Sequence, residues 1–389
     1  MWWWIACTTT TTTTTPPVST AETGAAPRPP DIVYVTIDTT RRDHVDPWSD
    51  RALTPQIARL AEGALLFDQA QAGASWTKPS MATTLASKDA WEHGVWDWPD
   101  AIDADTPTLF SVLHDAGWRM DAVVGHNALA SYAAPYAASF DVYDTSSWEG
   151  IGYPGDLVTS ETLVDEALGY LDALETEAGP PFLLWVHLFD PHDTYFDHDD
   201  VLDLGTTKEA RYAEEIAYTD LQLGRLIDRV VDRPNTLIVL HADHGEELGD
   251  HGRYGHAFTL YQEQLGVPLL LRGPGVEAGR VTTPVSLIDL APTVLGLVGL
   301  PSPETFRGTS LLPSPQARPL FAETRRFADL RSVRDGDLKL VWDVRTSSGR
   351  LFDLAVDRNE RIDASNRLPD DRARLQELLA VIYGDLTTP

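Results

Sequence analysis

Residues 31–37, DIVYVTI, form a nearly unbroken run of β-branched and aromatic side chains. A strand that is apolar at successive positions must bury both faces, so it belongs inside a sheet covered on two sides. Similar runs recur as MDAVVG at 120–125, PFLLWVHL at 181–188, TLIVLHA at 236–242 and VPLLLRG at 267–273. Helical patterns alternate with them. TPQIARLAEG and TPTLFSVLHDAG carry Pro near the start and Gly at the end, as helix termini prefer. SETLVDEALGYLDALETEAG and EARYAEEIAYTDLQLGRLIDRVVD place apolar residues three and four apart. This alternation predicts an α/β class fold: three α/β/α layers around a mostly parallel central sheet. LIDLAPTVLGLVGL reads as a buried helix, being interrupted by Asp289 and shorter than a membrane span.

Past about residue 320 the pattern changes. LRSVRDGDLKLVWDV reads as a hairpin turning at DG, and PDDRARLQELLAVIYGDL as a closing amphipathic helix. Residues 31–319 are therefore expected to form the main domain and 320–389 a small C-terminal α+β subdomain packed on it. Residues 1–30 read as a tether, because a Thr tract followed by Pro, Ala and Thr cannot build a core. Cys7 is the only cysteine, so no intrachain disulfide forms. A small residue before Cys7 and a polar tether after it resemble the end of a bacterial lipoprotein signal. That reading implies a lipid anchor at Cys7 and an extracytoplasmic location; an ordinary disordered tail is the alternative.

The chain has 30 basic and 59 acidic residues, a formal charge of −29. Such a field repels nucleic acid and anionic membranes at long range, so neither is an expected partner apart from the lipid anchor. A small anionic substrate would need a local positive centre. The four lysines are Lys78, Lys88, Lys208 and Lys339, which draws attention to Lys78 beside Thr77.

Ligands of open α/β sheets bind beyond the carboxyl ends of the strands. Asp38 follows the first run, and His126 and Asn127 follow the second. His187, Asp190 and His192 lie at or after the third. Asp243, His244 and Glu246 follow the fourth. Each alone has a structural reading: a helix cap for Asp38, a hydrogen-bonded core residue for each His. Together at one rim, these groups call for a cation to organise them. Mixed Asp and His donors suit zinc or manganese, whereas calcium prefers oxygen-only shells. The spacing leaves open a second ion at Asp190, His187 or His192. In SWTKPSMATTLAS, Pro79 fits the first turn of a helix, so Thr77 lies at or just before its N-terminus. Thr77 is then either a plain N-cap or a nucleophile activated by a metal.

The ordered segments VYVTIDTTRRDHV, SWTKPSMATTLAS, HLFDPHDTY, ADHGEELGDHG, LYQEQLGVPLLLRGPG and LFDLAVDRNERIDAS resemble the sulfatases of the alkaline-phosphatase-like superfamily, over residues 31 to 366. The resemblance implies one divalent ion (Zn, Mn or Ca) held by Asp38, Asp243 and His244. It places His192 and His256 as catalytic groups near the ester and leaving-group oxygens. Lys78, His126 and His187 become candidate substrate contacts. The departures are specific. Thr39 stands where the family has a second Asp. Thr77, Lys78, Pro79, Ser80 and Met81 occupy the C/S-x-P-S-R motif that yields formylglycine, so no formylglycine is expected. GHNALA replaces a basic GKWHLG-like segment, with His126 in place of a lysine. The expected activity is hydrolysis of a phosphate or sulfate ester with Thr77 as nucleophile and phosphoesters, diesters among them, favoured. The alternatives are a non-catalytic surface protein binding anionic glycans and a phosphoryl-head-group transferase.

Overall fold

The computed structural model describes residues 1–3, 28–130, 134–149, 157–176, 179–384 and 386. Cys7 and most of the expected tether lie outside the described residues. Eight strands form the central sheet: β1 (Asp31–Ile37), β2 (Leu65–Phe67), β3 (Arg119–Val124), β4 (Val142–Asp144), β5 (Phe182–Leu188), β6 (Thr236–Ala242), β7 (Leu269–Arg272) and β8 (Gly279–Val281). Their spatial order is β8-β2-β7-β6-β1-β5-β3-β4. β1 lies at the centre, parallel to both β5 and β6, and every residue in it is buried. β7 runs antiparallel to its neighbours β6 and β2, so the sheet is mixed at that side.

Alternation along β1 divides the core into two layers. Ile32 and Tyr34 face one layer, with Met81, Leu85, Leu109, Phe110 and Val294. These come from helices α2 (Thr77–Ala86), α3 (Leu109–Asp115) and α6 (Leu290–Leu297). Val33, Val35 and Ile37 face the other, with Ile57, Leu163, Leu171, Tyr212 and Leu223. That layer is built by α1 (Pro55–Ala61), α4 (Ser160–Thr176) and α5 (Lys208–Val230). Each fully buried aliphatic side chain contributes about 1.5–3 kcal/mol, so the apolar strands can close only as a two-sided sheet.

A four-stranded antiparallel sheet follows: β9 (Leu320–Thr324), β10 (Leu330–Asp335), β11 (Leu338–Asp343) and β12 (Ser348–Asp353). Gly336 takes φ +62° in the β10–β11 turn, a value that suits glycine. α7 (Pro369–Tyr383) packs Leu375 and Leu379 onto this sheet. Ala322, Val341, Phe352 and Leu354 join the core of the main sheet, so the two sheets share apolar surface. No helix among the described residues is long and apolar enough to cross a membrane.

Candidate active site

Parallel pairing brings the carboxyl ends of β1, β5, β3 and β6 to one rim. Ile37 is in register with Leu188 and with Ala242, so the next residues along the chains meet beyond the sheet. Asp38 leaves β1 there, its amide bonded to the Leu188 carbonyl at 2.9 Å. Asp243 and His244 leave β6 beside it. Thr39 takes a left-handed conformation at φ 48°, uncommon for a β-branched residue. This turn aims its amide N–H at Asp243 Oδ1, at 3.2 Å.

Asp38, Asp243 and His244 converge, with ligand atoms within 4.8 Å of one another. His244 Nε2 is 3.7 Å from Asp38 Oδ1 and 3.6 Å from Asp243 Oδ2. Its Nδ1 lies 2.8 Å from the Gly245 carbonyl, which fixes the proton on Nδ1 and turns the Nε2 lone pair inward. Both oxygens of Asp38 and Oδ2 of Asp243 are buried with no hydrogen-bond partner among the described residues. Burial and mutual repulsion hold the Asp38 carboxyl well above its ordinary range, and burial raises that of Asp243. Buried carboxylate oxygens without donors, facing an imidazole lone pair, are what a divalent cation satisfies. A second cluster, Glu247, His251 and Glu263, contrasts with this one. There Glu247 accepts from His251 N, Arg253 N and Thr259 Oγ1, and both His251 nitrogens are engaged, so those groups hold one another.

Thr77 is the first residue of α2, and Trp76 holds the N-cap position without a side-chain cap bond. Thr77 therefore does not cap the helix. Its Oγ1 sits 3.2 Å from His244 Nε2, fully buried beside the Asp38 cluster. Ser80, one turn on, donates to the Asp243 carbonyl at 2.6 Å and ties the start of α2 to the end of β6.

The imidazoles form a wall around this centre. The Ala128 amide donates to His126 Nδ1 at 2.9 Å, which leaves the proton of the neutral ring on Nε2, 3.6 Å from Asp38 Oδ2. His187 Nε2 stands 3.9 Å from the same oxygen and is fully buried in β5, out of contact with solvent. The His192 ring lies 4.9 Å from His256 and 5.5 Å from His126, and the His244 and His256 rings are 4.7 Å apart. Burial first, and then neighbouring positive groups, push His192 and His256 down to about 4; for His256 that group is Arg326. At those values both rings are neutral at pH 7. Glu246 accepts from Tyr195 and from His256 Nδ1, at 3.2 Å each, and burial pushes it up to about 7.

His126, His192 and His256 line a cavity of about 150 Å³, with Trp76, Trp98 and Phe327 opposite. Lys78 is not among the residues that line the cavity; its Nζ donates at 2.5 Å to the carbonyl of Trp98, a residue of the cavity wall. Asp190 is not available to a second ion, since it accepts from Thr159 N, Thr159 Oγ1 and Ser160 N at the start of α4. The cation that does reach the cavity is Arg326, from the β9–β10 loop, stacked 4.3 Å over Trp76 and 5.0 Å from Phe327. The signal was present in the sequence. Arg–Arg occurs only at 41–42 and 325–326 in this acidic chain.

The family profile described as Sulfatase matches residues 30–300. The uncharacterized sulfatase YidJ of Escherichia coli (strain K12) is 25% identical, across 92% of this chain and 88% of its own. A choline-sulfatase of Rhizobium meliloti (strain 1021) is 32% identical over 46% of this chain, a match that spans only 38% of that relative's length. Among solved structures, the phosphonate monoester hydrolase SpPMH from Silicibacter pomeroyi superposes with a TM-score of 0.71 at 20% identity, covering 92% of this chain and 96% of its own. That last likeness is one of fold. The chain belongs to the sulfatase family of ester-hydrolysing enzymes.

Proposed function

We propose that this sulfatase-family hydrolase acts on small phosphate esters in preference to sulfate esters, with Thr77 as the nucleophile. The observation that carries the reading is the Thr77 hydroxyl, buried 3.2 Å from His244 Nε2 at the start of α2 and not used as a cap. Asp38, Asp243 and His244 would hold the divalent ion, and their mixed oxygen and imidazole donors suit zinc or manganese. That ion supplies Lewis-acid polarisation and neutralises oxygen charge. Thr77 Oγ1 forms the new bond to phosphorus, and its proton leaves to water. The bond to the ester oxygen breaks, and that oxygen takes a proton from His192 or His256. An anionic ester between those rings raises their proton affinity above the value in the empty cavity. Arg326 bears the charge of the non-bridging oxygens. Water then displaces Oγ1 from phosphorus and restores the hydroxyl.

The preference follows from the nucleophile. A formylglycine hydrate expels sulfate through its second hydroxyl. Thr77 has none, so a sulfated Thr77 could be cleared only by water attacking sulfur. A phosphorylated threonine is open to attack at phosphorus by water. The fold itself is shared with a phosphonate monoester hydrolase, so it accommodates a phosphorus centre. A lipid anchor at Cys7 and a place outside the cytoplasm extend the proposal on the tether sequence alone.

The test is a panel of matched chromogenic phosphate monoesters, phosphate diesters and sulfate esters with wild type and Thr77→Ala. Phosphate esters should turn over faster, and Thr77→Ala should lose on the order of 10³-fold or more in kcat with the fold intact. Sustained hydrolysis of sulfate esters with phosphate esters inert would overturn the preference. Full activity in Thr77→Ala would overturn the nucleophile.

A further inference from the structure

A cavity of about 700 Å³ lies between the turn after β1, the helical turn Gln262–Leu265 and the C-terminal sheet. It shares no lining residue with the His192 cavity. Several carboxylates on its wall already have partners. Asp43 and Asp250 pair with Arg41, Asp68 with Arg280, and Glu263 with His251. Three arginines on the same wall differ. Arg42, Arg334 and Arg358 form no ion pair among the described residues. Arg42 donates to the Ala70 carbonyl at 3.4 Å, and Arg334 to the Gly336 carbonyl and the Gln69 side-chain oxygen.

Arg334 is 2% exposed, so its guanidinium is desolvated without a counter-charge in contact. Arg42 lies within electrostatic reach of each of the other two. Burial, and after it Arg358, disfavours the charged form of Arg42, with Asp43 and Asp68 acting the other way, and burial together with Arg42 pushes Arg334 down to about 10. Asp337, exposed at the cavity edge, and Glu360 offset this only at longer range. The side-chain nitrogen of Gln262 is buried there too, a donor with no acceptor among the described residues. A chain of charge −29 has carboxylates to spare, yet none among the described residues forms an ion pair with these three. Guanidinium forks and an amide donor converging on a polar cavity match the acceptor geometry of a tetrahedral oxyanion.

We propose that this cavity is a second anion-binding site, separate from the hydrolytic centre, which takes the phosphate or sulfate group of a ligand on Arg42, Arg334 and Arg358. The volume exceeds that of the bare ion. Trp48 and Asn359 on the walls offer a stacking face and an amide to a hydroxylated body, such as a sugar carrying that group. The site stands on different residues from Thr77 and does not depend on its role.

Calorimetric titration of the full chain with inorganic phosphate at fixed ionic strength tests this. Wild type should show binding that Arg358→Gln and Arg334→Gln each weaken roughly tenfold, as expected when one charge-assisted hydrogen bond is lost. Hydrolysis of a small chromogenic ester should be unchanged in Arg358→Gln. Arg358 is exposed, so that variant keeps its fold and decides the matter even where Arg334→Gln does not fold. Phosphate isotherms identical to wild type in the folded variants would overturn the site. A parallel loss of hydrolysis in Arg358→Gln would overturn its separateness from the hydrolytic centre.

Discussion

Thr77 and Arg326 come together around Trp76 although 249 positions separate them in sequence: Thr77 follows Trp76 in the chain, and the Arg326 guanidinium lies 4.3 Å over its ring. Trp76 fills the cap position, so the Thr77 hydroxyl is left to face His244. Lys78, next in the chain, is held by the Trp98 carbonyl. Arg326 brings positive charge to the cavity instead, held flat against Trp76 and Phe327 by cation–π contact. Its nearest carboxylate is Asp97, at 3.7 Å, which leaves the guanidinium close enough to serve an anion. Arg326→Ala should raise KM for an anionic ester by about tenfold, with a smaller fall in kcat. Arg326→Lys should recover part of that loss. Steady-state kinetics on one ester checks both, and an unchanged KM would remove Arg326 from substrate binding.

Among the elements, α1 shows two electrostatic effects in opposition. Its cap residue, Thr54, makes no side-chain cap bond. Asp220 of α5 takes the task, accepting from Gln56 N at 2.9 Å and Ile57 N at 2.8 Å. A helix N-terminus favours the carboxylate, and burial opposes it. Burial is the larger cause, and the Asp220 carboxyl is raised to about 7. A carboxyl raised in the folded state keeps its proton where the unfolded chain has released it. Between about pH 4 and 7 the folded state thus binds more protons, and this contribution to stability falls as pH rises. Asp220→Asn cannot titrate. The stability of wild type relative to Asp220→Asn should therefore drop by on the order of 4 kcal/mol from pH 4 to pH 8, read by urea unfolding. A difference that grows in favour of wild type would show that the helix terminus prevails.

Across the whole molecule, the C-terminal sheet is held to the main body by apolar packing and by hydrogen bonds that the two members of a buried ion pair make to it. Lys339 of β11 sits 2.8 Å from Glu360, both fully buried. Lys339 also donates to the Leu260 carbonyl, and Glu360 accepts from Gln262 N at 2.5 Å. Both partners reach the segment that leads into the Gln262–Leu265 turn, under the main sheet. Lys339→Met would strand the Glu360 charge and should destabilise the fold by about 3–5 kcal/mol. Pairing it with Glu360→Leu should recover most of that loss, because an apolar pair of similar volume carries no desolvation penalty. Thermal unfolding of the single and double variants measures this. A single variant as stable as wild type would mean that the pair is not a tie between the sheets. Since Arg326 lies on a loop of the same sheet, loosening it should also reduce activity.

The features legible in the residues alone were local and periodic. β1 and β6 begin and end at the residues their apolar runs predict, and β3 and β5 within one residue. A strand buried on both faces can be written in few other ways, and the groups at its carboxyl end follow by position. Asp38, Asp243 and His244 were legible on that ground, as was the nearness of Thr77 to a helix start. The direction of β7 was not legible, because an apolar run carries no sign of polarity. Nor was the left-handed turn at Thr39, or the bonding of Asp190 to α4, which depends on a helix start 30 positions away. Arg326 and the arginine cavity depended on how the C-terminal sheet docks. Local propensity fixes elements because neighbouring residues share one strand or one turn. Whether a side chain caps a helix or faces a cavity is decided by desolvation and packing against distant segments, and only the tertiary structure supplies those.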